Sequence, residues 1–323
     1  MGSDPIALPL LDWLDGPGCG VAEVVAVFTQ PDRPVGRGQQ ITANAIKRWA
    51  EAHKIPVLQP AKLTEDVRAQ LAALQPDVSL VMAYGHILRD DFISTPRLGT
   101  LNLHTSKLPQ YRGASPIQSA VANGETTTAV TLMRIVRELD AGPVADHEPV
   151  AIGPLDTAVE VEGKLAAASV PLMARTLPKL AAAALVFTDQ NHAAATYCRK
   201  LAKEDGALDF TAPAAALAAR INGLFPWPAC ATIINGVPVK FGLADVAVDV
   251  CAPWQNPGTV AGTDPNGLLV TTGCGLLRIR RLQRPGGRLL PAGEFLRGFP
   301  VGPGYVLPSR PMPALVSAQP FRR

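Results

Sequence analysis

Asn102 and His104 are the residues whose types and spacing most directly suggest catalysis. They stand two positions apart in Leu101-Asn102-Leu103-His104, an apolar run that predicts a strand. Because side chains alternate along a strand, both polar groups leave one face of the sheet while the two leucines leave the other. A carboxamide can donate to a developing oxyanion, and an imidazole can carry a proton. The pair therefore indicates acyl transfer, although such a pair more often only begins a hydrogen-bonded loop.

Asp140 is the third candidate, in the run Leu139-Asp140-Ala141-Gly142-Pro143. An aspartate before a small residue and a glycine is also typical of a turn. Ligands of open α/β sheets bind beyond the carboxyl ends of the strands, and Asn102, His104 and Asp140 would all fall at that edge.

Strand and helix patterns alternate in the first half of the chain. Strands are predicted at 21–29, 77–84, 100–104 and 128–135, with helices at 43–53, 65–74 and 116–122. This alternation predicts an α/β fold, a Rossmann-like domain with a mainly parallel sheet. A helical pattern over 157–184 follows, with breaks or a kink expected near Pro171 and Pro178.

Short strands separated by turns follow a helix predicted at 212–223, and they suggest a small β-barrel. The expected division is a catalytic domain at 1–185, a linker at 186–204 and a barrel domain at 205–323. The Pro-rich tail after Leu307 is expected to be loosely ordered.

Composition narrows the class of protein. The 323 residues are 47% hydrophobic and 18% charged, which is typical of a globular chain, and the sequence has neither a membrane-length apolar run nor a secretory signal pattern. We therefore expect a cytoplasmic address. Five widely spaced cysteines without a Cys-x-x-Cys pair argue against a metal site and against a disulfide framework.

The charge is unevenly distributed. Residues 1–204 carry 19 Lys and Arg against 21 Asp and Glu, net −2, whereas residues 205–323 carry 11 against 6, net +5. A basic module beside a slightly acidic catalytic half favours a polyanionic partner such as RNA, although a solvated basic surface would look similar.

The motifs as a set resemble the formyltransferase family that uses 10-formyltetrahydrofolate. They are Asn102-x-His104, then Ser106-Lys107-Leu108-Pro109-Gln110-Tyr111-Arg112-Gly113, then Leu139-Asp140-Ala141-Gly142. The resemblance implies that Asn102 and His104 stabilise the oxyanion. It also implies that Asp140 fixes the imidazole or a bridging water and helps to move the proton to N10 of the folate.

Further motifs resemble the branch of this family that acts on initiator methionyl-tRNA. They are the loop from Phe28 to Gly38, Tyr197-Cys198-Arg199-Lys200-Leu201, Phe225-Pro226-Trp227-Pro228 and Leu282-Gln283-Arg284-Pro285-Gly286-Gly287-Arg288. The resemblance implies an OB-like C-terminal barrel, a tRNA partner and a folate co-substrate. It is also the basis for expecting a monomer.

The residues expected to bind folate and tRNA are identified by their positions in the family pattern. The resemblance places the folate against Tyr84, Gly85, His86, Ile87, Leu88, Ser106, Leu108, Pro109, Val136 and Leu139. Two basic groups are expected to meet the tRNA, one in the Phe28–Gly38 loop and one in the C-terminal half, where alternation puts Arg278 and Arg280 on one strand face. The tRNA-binding residues so predicted are Arg33, Arg37, Arg278, Arg280, Arg284 and Arg288.

The chain departs from the family pattern at its start. Family members usually begin with a short apolar strand, whereas Met1-Gly2-Ser3-Asp4-Pro5 resembles the loop that follows that strand. The first strand is therefore expected to be missing, through a start site placed too far downstream or through a true truncation.

Competing functions stay open. One is another 10-formyltetrahydrofolate enzyme, acting on a sugar nucleotide or a purine precursor, or a hydrolase. Another is an RNA-binding protein whose enzymatic half has decayed. A nucleotide-binding oxidoreductase is disfavoured because no Gly-x-Gly-x-x-Gly follows an early strand.

Overall fold

The computed structural model describes residues 1–35, 38–250 and 256–321. The chain forms two compact units, each with its own core. The first unit contains Met1–Arg112, Ala129–Val150 and Glu162–Ala195, and the second contains Gly113–Thr128, Ala151–Val161 and Thr196–Arg323.

The five helices predicted from the sequence lie close to their expected positions. The helices in chain order are α1 (Leu8–Asp15), α2 (Ala45–Ala52), α3 (Glu65–Ala73), α4 (Asp90–Ile93), α5 (Pro116–Ala122), α6 (Ala158–Ala181), α7 (Ala214–Leu224) and α8 (Ala292–Gly298), of which α1, α4 and α8 are additional. Asn44 caps α2 by accepting a hydrogen bond from the Lys47 amide at 3.0 Å. Neither proline breaks α6, because Pro171 and Pro178 both lie inside one continuous helix.

The strands predicted at 21–29 and 77–84 are shorter in the structure, whereas those predicted at 100–104 and 128–135 have the expected length. In chain order the strands are β1 (Val27–Phe28), β2 (Arg33–Val35), β3 (Gln40–Thr42), β4 (Val57–Leu58), β5 (Ser79–Val81), β6 (Thr100–His104), β7 (Arg112–Gly113), β8 (Thr127–Arg134), β9 (Val144–Ala151), β10 (Tyr197–Cys198), β11 (Cys230–Ile234), β12 (Val237–Val248), β13 (Val260–Asp264), β14 (Gly267–Thr271), β15 (Leu276–Gln283), β16 (Leu290–Pro291) and β17 (Val316–Ser317).

The main sheet of the first unit is mixed. Its order is β5-β6-β8-β9, with β5 parallel to β6 and β6 antiparallel to β8. The prediction of a mainly parallel sheet is thus wrong at β8, because apolar alternation identifies a strand but carries no information about its direction. Elsewhere β1 pairs in parallel with β4, and β2 pairs antiparallel with β3.

The middle of this sheet is fully enclosed. Leu101 and Leu103 on β6 and Leu132 and Met133 on β8 are at most 1% exposed. Burying an aliphatic side chain of this size stabilises the fold by about 1.5–3 kcal/mol. The leucines therefore fix the register of β6, and that register decides which way its polar residues face.

The second unit is built on an antiparallel sheet of order β11-β12-β15-β14-β13, with β16 paired to β15. Asn235 and Gly236 both have positive φ in the two-residue turn between β11 and β12, as a hairpin of this length favours. Helix α7 packs against this sheet through Leu217 and Ile221, both fully buried. Among the described residues the ladder ends at β11 and β13, so this is a β-rich unit without a closed barrel.

An ion pair, together with Arg220, links the segment around residue 205 to the C-terminal segment of the second unit. Arg199 donates two hydrogen bonds to the carboxylate of Asp205, which is 1% exposed. Burial opposes ionisation of Asp205, but the hydrogen bonds from Arg199 and the Ala202 amide outweigh it and hold the pKa of this carboxyl below its usual value. Arg220 donates to the backbone carbonyls of Asp205 and Pro313.

The C-terminal tail packs against the second unit. Leu307 and Leu315 are buried, and β17 pairs antiparallel with β10. The expectation of a loosely ordered tail is therefore wrong over its described part.

Two expectations from composition meet structural findings. No described helix is both long and apolar enough to cross a bilayer. Cys19, Cys198 and Cys230 are outside any disulfide bond, whereas Cys274 is disulfide-bonded, so the expectation drawn from the cysteine spacing is wrong at that residue.

An apolar slot lies between the extended segments 24–28 and 78–82 of the first unit. It encloses about 140 Å³, and its walls also include Leu10, Ile46 and Leu103. Successive peptide groups of a strand point to opposite sides. Since Val27 pairs with β4 and Ser79 with β6, the neighbouring peptide groups on each segment point into the slot.

Met1 and Gly2 fill one end of this slot. The Met1 amino group donates to the Leu80 carbonyl at 2.6 Å, and the Met82 amide donates to the Met1 carbonyl at 3.0 Å. On the other wall the Gly2 amide donates to the Phe28 carbonyl at 3.0 Å. Burial lowers the pKa of the Met1 α-amine to about 5.

We expect the stability of this form to rise with pH between about 5 and 8. The unfolded chain binds a proton at the α-amine up to a pKa of about 8, whereas the folded chain releases it above about 5. The linked change in the free energy of unfolding is about 4 kcal/mol over that range. Urea denaturation at a series of pH values measures this slope.

Two extensions of equal length, fused upstream of Met1, provide the matched comparison. A Gly/Ser extension should remove the pH slope by moving the amine out of the slot. A Val/Ile extension should remove it and also raise the free energy of unfolding by several kcal/mol, because it can occupy the slot as a strand. Equal stability of the two extended chains would contradict this description of the slot.

Candidate active site

β6 presents Asn102 and His104 on the face opposite its two buried leucines, as the alternation predicts. Asn102 stands opposite Met133 and His104 opposite Thr131 in the antiparallel pairing with β8. His104 is 7% exposed, whereas Asn102 is half-buried. The Asn102 carboxamide makes no hydrogen bond to another described residue, so its donors are available to a ligand.

The His104 ring is held by the loop that follows β6. Its Nε2 lies 3.0 Å from the Tyr111 carbonyl oxygen. A carbonyl only accepts, so Nε2 carries the hydrogen and donates. In the neutral ring Nδ1 is then the nitrogen with a free lone pair, and it is the atom that can take up a proton.

Side chains fix the same loop from within. The Ser106 hydroxyl donates to the Gln110 carbonyl at 2.7 Å, and the Thr131 hydroxyl donates to the Ser106 carbonyl at 2.6 Å. Tyr111 adopts a left-handed backbone, φ 58°. Together these features set the position of the carbonyl that holds His104.

The Asp140 carboxylate faces the other ring nitrogen. Its Oδ1 lies 3.8 Å from His104 Nδ1, and its side chain is 13% exposed. This distance is too long for a hydrogen bond. A carboxylate that lies this close still stabilises an imidazolium by its charge. The Asp140 backbone lies in the left-handed region, with φ 50°. A Cβ atom added to Gly142 would lie 2.0 Å from the Arg134 carbonyl oxygen. The turn at residues 139–142, here called the Asp140 turn, is thus closely constrained.

Two buried residues that received no role from the sequence support this turn, one by direct contact and the other through the first. Gln190 donates to the Asp140 carbonyl at 2.9 Å and to the Gly142 carbonyl at 2.7 Å. Arg112 donates in turn to the Gln190 carboxamide oxygen. Gln190 fell in the predicted linker and Arg112 in a loop motif, and no local pattern could reveal contacts across 78 residues.

The residues predicted to bind folate fall into two groups. Tyr84 and Leu88 are in a core cluster with Phe28 and Phe92, so their side chains are directed away from solvent. The Tyr84 hydroxyl is buried and has no hydrogen-bond partner among the described residues, and burial raises its pKa to about 12. These two residues can offer a ligand only their backbone.

The other group is accessible in part. Ile87 and Leu139 are 74% and 58% exposed, which is unusual for large apolar side chains. His86 is half-buried, with Nε2 at 3.3 Å from the Pro60 carbonyl. The remaining members are Gly85, which is exposed, Leu108, Pro109 and Val136, which are half-buried, and Ser106, which is buried.

The predicted tRNA-binding arginines differ in how far their charge is compensated. Arg278 and Arg280 do share one strand face, where both donate to Asp245, and Arg278 also pairs with Asp264. Their partners lie on other strands, so the sequence run alone did not show this compensation. A polyanion would compete with these carboxylates for both arginines.

The other arginines are more available. Arg284 and Arg288 are exposed, and the Arg284 guanidinium lies 5.6 Å from the centre of the Phe299 ring. Arg33 is exposed on β2 and donates to the Gln30 side chain at 2.6 Å. Arg37 lies outside the described residues. Over the described ranges no cluster of three or more His, Cys, Asp or Glu side chains could hold a metal ion.

Comparison with known proteins connects this geometry to a family. Residues 7–177 match the formyl transferase family, and residues 200–300 match the formyl transferase C-terminal domain. Methionyl-tRNA formyltransferase from Ectopseudomonas mendocina is 42% identical over 288 residues, covering 88% of this chain and 90% of its own length. The enzyme of the same name from Ralstonia nicotianae is 40% identical over 298 residues, covering 89% of this chain and 91% of its own length.

Solved structures support the fold. The sugar 3N-formyl transferase WlaRD superposes with a TM-score of 0.64 at 16% identity, covering 88% of this chain and 95% of its own. An N-formyltransferase from Helicobacter canadensis, crystallised with folinic acid and dTDP-3-aminofucose, gives the same TM-score and identity and covers 88% of this chain and 97% of its own. With matches to both formyl transferase domains and curated relatives that are 40% and 42% identical along most of its length, the chain belongs to the formyl transferase family.

Proposed function

We propose that this protein transfers the formyl group of 10-formyltetrahydrofolate to the α-amine of initiator methionyl-tRNA, and that Asn102, His104 and Asp140 carry out the reaction. The observation that carries the proposal is the placement of Asn102 and His104 on one face of β6 with Asp140 3.8 Å from the imidazole. It occurs in a chain about 40% identical to methionyl-tRNA formyltransferases.

The chemistry follows from the available atoms. A free α-amine has a pKa of about 7.7–8.0, so part of it is neutral and nucleophilic near neutral pH. Asn102 donates to the formyl oxygen as that oxygen gains negative charge. His104 Nδ1 takes up the proton that the attacking amine loses and passes it to N10 of the departing folate, since Nε2 is occupied by the Tyr111 carbonyl. Asp140 stabilises the imidazolium by its charge.

The folate fits the predicted segments in two ways. Exposed Ile87 and Leu139 are apolar surfaces that a pterin ring would cover. The Gly85 backbone at φ 81° lies in an exposed loop where peptide groups remain accessible. Both features support recognition through backbone groups and apolar contact, and the bound folate would supply the one-carbon group.

The other expectations about the molecule are kept as parts of the proposal. They are a catalytic domain at 1–185, a linker at 186–204, an OB-like domain at 205–323 that binds tRNA, a monomeric state and a cytoplasmic location.

Asn102→Ala should lower turnover by about a hundredfold to a thousandfold, because one preorganised oxyanion donor is removed. The thermal midpoint should stay within a few degrees of the parent, since this carboxamide makes no hydrogen bond to a described residue. The measurement is formyl transfer from 10-formyltetrahydrofolate to methionyl-tRNA under saturating conditions.

Gln70→Ala is the matched control, because Gln70 is an exposed carboxamide on α3 of the same unit. It should retain parental turnover. Full activity of Asn102→Ala would remove Asn102 from the mechanism. Absence of transfer by the parent chain, with tRNA still bound, would favour the RNA-binding alternative.

Arg284→Ala combined with Arg288→Ala should weaken tRNA binding and reduce its salt dependence. Each lost phosphate contact lowers the slope of log K against log salt by about 0.7 to 0.9. Filter binding of methionyl-tRNA at several salt concentrations measures this slope. Arg68→Ala, which removes an arginine paired within α3, is the control and should leave the slope unchanged. The same slope in the double variant would exclude these two arginines from the interface.

A further inference from the structure

The Asp140 turn requires support from outside itself. Asp140 has φ 50°, in the left-handed backbone region that residues other than glycine seldom adopt. Such a conformation persists when surrounding contacts determine it. One such contact is the Gln190 carboxamide, whose two N–H groups donate to two carbonyls of the turn, those of Asp140 and Gly142.

The orientation of the Gln190 amide is fixed by Arg112. A guanidinium only donates, so the oxygen of the amide must face it, at 2.7 Å from Nη2 and 3.2 Å from Nε. The nitrogen of the amide must then face the turn. Gln190 is 8% exposed and Arg112 is 2% exposed, so bulk water does not compete freely for these bonds. Arg112 also donates to His192 Nδ1 at 3.2 Å.

These contacts close a ring around the two catalytic candidates. His104 Nε2 donates to the Tyr111 carbonyl, and Tyr111 is joined by its peptide bond to Arg112. Arg112 orients Gln190, and Gln190 holds the backbone of Asp140. The Asp140 carboxylate then faces His104 Nδ1, where the ring began. The group that holds the imidazole and the group that holds the carboxylate are therefore connected.

We propose that Gln190, oriented by Arg112, is a positioning residue that sets the distance between the Asp140 carboxylate and the His104 imidazole. The inference rests on the proposed function, because the distance matters only if these two groups handle the proton. Gln190 does not itself reach the reacting atoms. Its effect should therefore appear in turnover rather than in substrate binding.

Gln190→Glu is the principal test. The carboxylate keeps the volume and the attraction to Arg112, but it replaces both donors to the turn by acceptors that repel the two carbonyls. A shift of about 1 Å in a catalytic group can slow a reaction a hundredfold. We expect kcat to fall by about tenfold to a hundredfold, KM for tRNA and for folate to change by less than about threefold, and the pH profile of kcat to change.

Thr176→Val is the matched control for buried hydrogen bonding. Thr176 lies in α6 of the same unit, is fully buried, and donates to the Leu172 carbonyl at 2.7 Å. Its loss should lower the thermal midpoint and leave kcat and its pH profile unchanged. If Gln190→Glu behaves like this control, Gln190 has only a structural role and the inference is wrong. Gln190→Met, which removes donors without adding charge, provides a second variant should Gln190→Glu fold poorly.

Combination with Asp140→Asn identifies the route of the effect. If Gln190 acts through Asp140, Gln190→Glu should slow single-turnover transfer much less in the Asp140→Asn chain than in the parent. An undiminished effect there would overturn the inference while leaving the proposed function intact. Parental activity of Asp140→Asn alone would instead remove Asp140 from the mechanism, and the positioning role would fall with it.

Discussion

The hydrogen bond from His104 Nε2 to the Tyr111 carbonyl is the contact on which the candidate site depends. It assigns the hydrogen to Nε2 and so leaves Nδ1 as the nitrogen that can exchange a proton with a substrate or face Asp140 as an imidazolium. Without this bond the ring could rotate or change tautomer, and the same residues in the same places would present different chemistry. The register of β6, fixed by two fully buried leucines, brings the imidazole to that carbonyl.

The surrounding structure holds this hydrogen bond in place by constraining the nearby backbone. Tyr111 and Asp140 both adopt left-handed conformations, and each presents a group to a different nitrogen of one ring. Two non-glycine residues in this region within one site are what constrained active sites commonly show. Their support comes from distant elements, Thr131 on β8 for the loop and Gln190 for the turn. The site is therefore a property of the folded unit rather than of its motifs.

Sequence reasoning succeeded where chemistry is local. Alternation placed Asn102 and His104 on one face because the period of a strand is fixed by covalent geometry. It failed where the outcome depends on partners far along the chain. Val24 and Val78 were predicted inside longer strands, but an extended segment becomes a strand only when another pairs with it, and both residues line the slot instead. The run of arginines likewise does not reveal that Arg278 pairs with Asp245 and Asp264 on other strands. The role of Gln190 is invisible without the fold, since its partner Arg112 is 78 residues away.

A double-mutant cycle between His104 and Asp140 tests the central claim most directly. Single-turnover formyl transfer to methionyl-tRNA would be measured for the parent, His104→Ala, Asp140→Asn and the double variant. If the two groups form one proton-handling unit, each single variant is slowed by at least about tenfold, and the double variant is little slower than the worse single. Effects that multiply independently, or single variants that transfer at the parental rate, would contradict the account.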